Sequence, residues 1–263
     1  MRGCQARTQA AFISTDMDAV EDDVWRRAAW PDGTARMLKR VLGLRERYTA
    51  PEEQIYLRTH AQRYERLLEL VRPLAPGRIL VVGPSYETVL LRDAFPNATV
   101  NTLGWHDDRF PLRQHESHVQ FDLNDPNYPE LERHDVVVCS EVIEHLHVAI
   151  VPVLRFLASG LAPGGHLILQ TPNATALAKR IRMLFGRNPY DPIREESGNP
   201  GHFHEHTVDE LVSAVGEAGL EVTHVLTENY FDHGSRKNQA YRAVGRMMPR
   251  SLREGITVMA RTQ

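Results

Sequence analysis

Residues 134–173 read HDVVVCSEVIEHLHVAIVPVLRFLASGLAPGGHLILQTPN. The run that Asp135 opens is continuously apolar from Val136 to Cys139, as in a strand covered on both faces of a parallel sheet. An acidic turn follows, then an amphipathic helix over 148–161. After it come a Pro-Gly-Gly turn and a second buried strand, His166 to Gln170. Glu141, Glu144 and His145 stand just after the first strand. Their i, i+3, i+4 spacing predicts that they share one face of a first helical turn. Open α/β sheets bind ligands outside the carboxyl ends of their strands, so the search for a function starts at these three residues.

Bulk properties narrow the classes. The chain has 263 residues, 42% hydrophobic and 25% charged, with a formal net charge of −3. That balance gives no general reason to expect nucleic acid as a partner. Two cysteines, Cys4 and Cys139, cannot build a disulfide framework, and Cys139 falls in a buried strand, which suits a reducing, cytoplasmic compartment. No apolar run is long enough to span a bilayer. The first residues carry Arg2 and Arg7 without the apolar core of a signal peptide, and Met17 is an alternative start.

Around the opening stretch the chain divides into a loose tail over 1–18, a helical cap over 19–75 and a core domain over 76–263. Within the cap, Trp25, Trp30, Met37, Leu38, Val41 and Leu42 give short helices one apolar side. Pro51-Glu52-Glu53 then opens a longer helix running to Pro73, with acids at its positive dipole end. This cap either only packs or also lines a substrate pocket. In the core, strands are expected at 78–83, 98–103, 118–122, 135–140, 166–170, 220–226 and 256–260. Helices follow Ser85, span 174–185, and start after Thr207, which forms a capping box with Glu210. Strands alternating with helices at this pitch predict an α/β fold with a doubly wound, mostly parallel seven-stranded sheet.

Several segments carry a resemblance: Ser-Glu-Val-Ile-Glu-His-Leu at 140–146, Leu-Ala-Pro-Gly-Gly at 161–165, Thr-Pro-Asn at 171–173, HFHEHTVDELVSAVGEAGLEV from His202, and REGITVMAR near the end. In this order they resemble the class I S-adenosylmethionine-dependent methyltransferases over residues 76–262. The branch they are most similar to is the small-molecule one that includes ubiquinone-pathway O-methyltransferases. The resemblance implies a Rossmann-like fold with an antiparallel seventh strand and S-adenosylmethionine as methyl donor. It implies cofactor contacts from Gly83, Pro84, Ser85, Asp122, Leu123, Ser140 and Glu141. The chain departs from the family at Gly83-Pro84-Ser85-Tyr86-Glu87, where only the first glycine of a Gly-x-Gly-x-Gly loop survives. It departs again at Leu103-Gly104-Trp105, where an acid that holds the ribose is missing unless Asp107 or Asp108 replaces it. A methyltransferase-like binding or scaffold protein with a degenerate loop is therefore the alternative to an enzyme.

Methyl transfer to a hydroxyl needs a held acceptor and a base. His145 is the candidate base, with Glu144 orienting it or the substrate. The resemblance also implies a divalent ion, magnesium, manganese or zinc, on Glu141, Glu144, His145 and His202. The plainer reading is that the acids cap a helix and His145 packs beneath the cofactor. Two basic patches remain, Lys179, Arg180, Arg182 and Arg187, and Arg236, Lys237, Arg242, Arg246, Arg250 and Arg253. They are either solvated helix faces or contacts for an anionic, sugar-like acceptor or a lipid surface.

Overall fold

The computed structural model describes residues 43–190, 192–195, 200–230 and 248–262. The expected tail, the cap before residue 43, and Arg236, Lys237, Arg242 and Arg246 lie outside the described residues. Helix α1 (Pro51–Val71) starts with proline at its first position and Glu52 and Glu53 in its first turn; Glu53 Oε2 accepts from the Ala50 amide at 3.2 Å. A 3-10 turn at Arg72–Leu74 and a left-handed Ala75 end it and redirect the chain into β1 (Arg78–Val82). Then follow α2 (Tyr86–Ala94), β2 (Thr99–Gly104), β3 (His118–Gln120), β4 (His134–Ser140), α3 (Ile150–Ser159), β5 (Leu161–Pro172), α4 (Leu177–Leu184), α5 (Val208–Glu217), β6 (Glu221–Glu228) and β7 (Gly255–Arg261).

These strands form one sheet in the order β3-β2-β1-β4-β5-β7-β6, parallel except that β7 runs antiparallel to both β5 and β6. Strand order reverses between β1 and β4, which pair in parallel from Ile79–Val136 to Val82–Cys139. The period-two alternation explains the continuous apolar runs. Leu80, Val82, Val137 and Cys139 bury one face under α3 and α5, while Ile79, Val81, Val136 and Val138 bury the other under α1 and α2. A third cluster, Leu44, Leu57, Tyr64, Tyr86, Leu90 and Phe110, holds the start of α1 to the start of α2. The Ala-Pro-Gly-Gly segment differs from expectation: it is a kink inside β5, where the register shifts between His134–Leu161 and Val136–His166, rather than a turn before the strand. Strand β3 also stops at Gln120, two residues early. No helix among the described residues is long and apolar enough to cross a membrane.

Candidate active site

The site residues expected from the sequence lie at the carboxyl edge of the sheet. Gly83 ends β1 with φ +75°, a conformation suited to glycine, and a Cβ there would meet Val142 Cγ2 at 3.2 Å. Its amide donates to Leu103 O at 2.8 Å. Pro84 and Ser85 continue the turn, and Ser85 becomes the N-cap of α2, with its amide donating to Thr88 Oγ1. Tyr86 turns away from the loop: it is buried against Tyr48 and Phe110, and its hydroxyl donates to Glu53 Oε1 at 3.1 Å. Gly104 closes β2 at φ +125°, with its missing Cβ facing Gly83 N at 3.4 Å. A side chain at 104 would be strained there, which is a local reason for the absent acid. Asp107 is engaged with Arg109 at 2.7 Å, and Asp108 is fully exposed. After β3, Asp122 Oδ1 accepts from the Asn124 amide and Nδ2, while Leu123 is buried in the core. Ser140 closes β4 and donates to Gln170 Oε1 at 3.1 Å.

The expected helical face is corrected. Glu141 adopts φ +54° directly after β4, Glu144 and His145 lie in a 3-10 turn (Ile143–His145), and α3 begins only at Ile150. A one-face arrangement fails because the chain must reverse out of β4 before a helix can start. Glu144, His145 and His202 are nonetheless brought together, with one potential ligand atom from each lying within 4.8 Å of the others. Glu141 is outside that group. The assembly is made by the backbone: the Phe203 and His204 amides both donate to Glu144 O, at 2.8 and 3.3 Å. His145 Nδ1 faces Gly201 O at 2.9 Å, so that nitrogen carries the proton and Nε2 is the basic one. His202 Nδ1 meets Glu205 Oε1 at 3.0 Å, and Glu205 also pairs with Lys179. Glu144 is fully buried. Its Oε2 accepts from Thr171 Oγ1 at 3.1 Å, whereas Oε1 has no hydrogen-bond partner among the described residues. Burial, and then the charge of Glu141, hold its carboxyl well above the usual range. Burial pushes the His145 imidazole below its ordinary value. A carboxylate with an orphaned oxygen beside imidazoles fixed from behind is a donor set that fits a divalent cation.

Sequence reasoning missed the far wall of this edge. Arg63 of α1 is fully buried and ion-paired with Glu87 Oε1 at 2.5 Å, while Ser85 Oγ donates to Glu87 Oε2. The available signal was position: Arg63 falls four and seven residues before Leu67 and Leu70, an arginine on an apolar face. Glu141 stands close enough to interact with both charges; burial raises its carboxyl to about 7, with Arg63 opposing and Glu87 adding to the rise. A hollow of about 520 Å³ lies between the starts of α3 and α5, lined by Ile143, Leu146, Val148, Phe203, His204 and His206 among others. His204 and His206 were expected as loop and cap residues. His206 is buried, and its strand-like bridge to Asn173 ties the segment before α5 to the end of β5.

Comparison with known proteins agrees with this geometry. Residues 56–225, more than half of the chain, match the family model described as a methyltransferase domain, and the chain belongs to that family. Among solved structures it is similar to an S-adenosylmethionine dependent methyltransferase from Mesorhizobium loti. Identity there is 16%, over 75% of this chain and 96% of that one, with a TM-score of 0.51. It is also similar to a candidate S-adenosylmethionine dependent methyltransferase from Listeria monocytogenes, at 12% identity over 76% of this chain and 98% of that one, with a TM-score of 0.51. At these identities the likeness is one of fold. No curated protein matches. By family and fold the chain is a class I S-adenosylmethionine-dependent methyltransferase.

Proposed function

We propose that this enzyme methylates a hydroxyl of a small-molecule acceptor, and that Glu144, His145 and His202 form the acceptor side of the site with a divalent cation between them. The observation that carries the reading is the convergence of their ligand atoms within 4.8 Å, beside the orphaned Glu144 Oε1, at the carboxyl end of β4. Two imidazoles and one carboxylate suit zinc or manganese better than magnesium. A cation held there supplies Lewis-acid polarisation of an acceptor oxygen. The side chains contribute the rest. Thr171 and Glu205 hold Glu144 and His202 in place, and His145 offers a single lone pair at Nε2, which either ligates the cation or, without one, receives the hydroxyl proton. On the donor side the reading assigns Gly83, Pro84, Ser85, Asp122, Leu123, Ser140 and Glu141 to the cofactor. The buried free thiol of Cys139 favours a cytoplasmic setting.

The second basic patch lies mostly outside the described residues. The first contributes a surface in which α4 buries none of its residues and leaves Leu184 81% and Phe185 74% exposed beside Arg182 and Arg187. That composition supports contact with an anionic lipid surface from which an apolar acceptor could be drawn.

The test is elemental analysis after chelation, followed by dialysis against zinc or manganese. One equivalent should return to the wild type and fall below a tenth in Glu144→Gln and His202→Ala. A wild type that takes up no metal and turns over equally with and without chelator would retire the cation. Methylation confined to amine acceptors in a mixed panel would retire the hydroxyl.

A further inference from the structure

The segments 143–147 and 202–206 carry Glu144, His145 and His202, yet none of these three lines the hollow of about 520 Å³ between the starts of α3 and α5. Its walls come from their chain neighbours, Ile143, Leu146, His147, Phe203, His204 and, a little further on, His206. The volume suits a small molecule, since ligand pockets run from about 300 to 1,000 Å³. The rings stand in pairs. His147 lies edge-on to Phe203 with centroids 5.5 Å apart, and His204 edge-on to His206 at 4.7 Å. Phe203 is 40% exposed, and with Ile143 and Leu146 it offers an apolar surface to a flat body.

The two helices that begin at this hollow begin differently. Helix α5 is closed by its own side chains: the Thr207 hydroxyl accepts from the Glu210 amide, and Glu210 Oε2 accepts from the Thr207 amide at 2.8 Å. Helix α3 starts on Ala149, which lines the hollow, makes no side-chain cap and is followed by no acid in the first turn. Pro152 has no amide, so the donors left without an intrahelical acceptor include those of Ile150 and Val151. A helix start alone fixes no ligand. The second observation is His206, which lines the hollow, is 6% exposed, and has no hydrogen-bond partner for Nδ1 among the described residues. Buried polar atoms are nearly always paired, so an unpaired one on a ring that borders a cavity points to something that enters it. Glu210 is the acid facing His204 and His206, but it is engaged in its own cap. The start of α3 and three imidazoles therefore set the sign of the hollow, and they favour an anion.

We propose that this hollow is a second ligand site, separate from the group formed by Glu144, His145 and His202, and that it takes a small planar aromatic carboxylate. The ring lies against Phe203, Ile143 and Leu146, while the carboxylate caps α3 and accepts from His206. The ligand thus supplies the cap that Ala149 lacks and the partner that His206 lacks. A neutral ring of the same shape would meet only the walls, and an ammonium would meet the positive end of α3. Ile143 and Leu146 bracket Glu144 and His145, and Phe203 follows His202, so an occupant braces both segments without touching the clustered side chains. The site does not depend on a cation being held there.

Calorimetry at neutral pH uses three probes with one ring system: naphthalene-2-carboxylate, naphthalene-2-methanol and naphthalene-2-methylammonium. Wild type should bind the carboxylate about tenfold more tightly than the alcohol, and the ammonium most weakly. Phe203→Ala should weaken the carboxylate and the alcohol alike, by about tenfold. Ala149 already has the extended backbone of a capping residue, φ −61° and ψ 134°. Ala149→Asp therefore gives α3 a carboxylate of its own: it should raise the melting temperature and abolish the preference for the carboxylate, with the alcohol held to within about threefold. His206→Leu should lower the carboxylate-to-alcohol ratio about fivefold; should it not fold, Ala149→Asp decides alone. Glu144→Gln should leave carboxylate binding within about threefold, because that side chain does not line the hollow. A wild type that binds no carboxylate, or the same ratio in wild type and Ala149→Asp, would overturn the proposal. Carboxylate binding that Glu144→Gln removes would also overturn it, by moving the ligand to the clustered side chains.

Discussion

The ends of β1 and β4 face each other across one crevice and are built in opposite ways. At β4 the sequence keeps a readable motif, Ser140 to Leu146, but the geometry departs from what its spacing predicts. Glu141 is thrown out by a left-handed turn, and His202 enters from 57 positions further along the chain. At β1 the motif is mostly gone, and the turn is backed instead by a buried ion pair between Arg63 of α1 and Glu87 of α2. A motif is a record of how an edge is usually built. The same letters can be folded into another set of contacts.

The contrast breaks most visibly at β4. Glu144→Gln and His202→Ala should each lower turnover about a thousandfold while leaving S-adenosylhomocysteine affinity within threefold, since they act on the acceptor side. Steady-state rates paired with calorimetry decide this; equal losses in both would merge the two edges into one site.

Next is His206, which lines the hollow between the starts of α3 and α5. Burial and the neighbouring His204 hold its pKa down to about 4. The folded protein thus binds fewer protons than the unfolded chain between about pH 6.5 and 4. The corresponding stability is full above 6.5 and is lost as pH falls through that window, up to about 3 kcal/mol. Glu141, raised to about 7, acts the opposite way, losing stability as pH rises from about 4.5 to 7. The difference between wild type and His206→Gln therefore isolates the histidine: the melting temperature of the wild type should fall relative to that of the variant as pH drops from 6.5 to 4. Parallel curves would exclude it.

At β2, restoring the missing acid should hurt. Gly104→Asp forces a side chain into φ +125° and should cost about 2 kcal/mol, or roughly 4–8 °C in Tm, without tightening the cofactor. A stable, tighter-binding variant would show that the crevice lacks only the acid. Trp105, 68% exposed beside it, sharpens the donor side further. Trp105→Ala should weaken S-adenosylhomocysteine about tenfold through lost stacking and abolish the fluorescence change on binding. Smallest of all, Leu184→Asp should move stability by less than about 0.5 kcal/mol, because the side chain is 81% exposed. It should still lose co-sedimentation with anionic vesicles if α4 is a lipid surface.

Much of the fold was legible. Unbroken runs such as Ile79–Val82 and Val136–Cys139 can only be strands covered on two faces. Thr207 and Glu210 mark the start of α5 by a reciprocal cap that the structure contains. The site was less legible because its geometry depends on backbone turns and distant pairing. The spacing of Glu141, Glu144 and His145 assumed a helix, and nothing local announces that the Phe203 and His204 amides will seek Glu144 O. Arg63 and Glu87 lie 24 positions apart in the chain, each ordinary within its own helix, and only their meeting at Glu87 Oε1 makes them a feature.

The insertion of β7 between β5 and β6 sets an order of assembly. Strands β1 to β4 can zip together as soon as they are synthesised, each beside a parallel neighbour already made. The outer edge of β5 cannot, because Leu167 to Pro172 pair with residues 255–260, nearly ninety positions later. Until those arrive, β5 presents a row of unpaired amides and carbonyls, and β6 has no seat in the sheet. The nascent protein therefore passes through a stage in which both walls of the crevice can form while the sheet behind them is open. At that stage the open β5 edge is the part of the sheet most exposed to pairing with another chain.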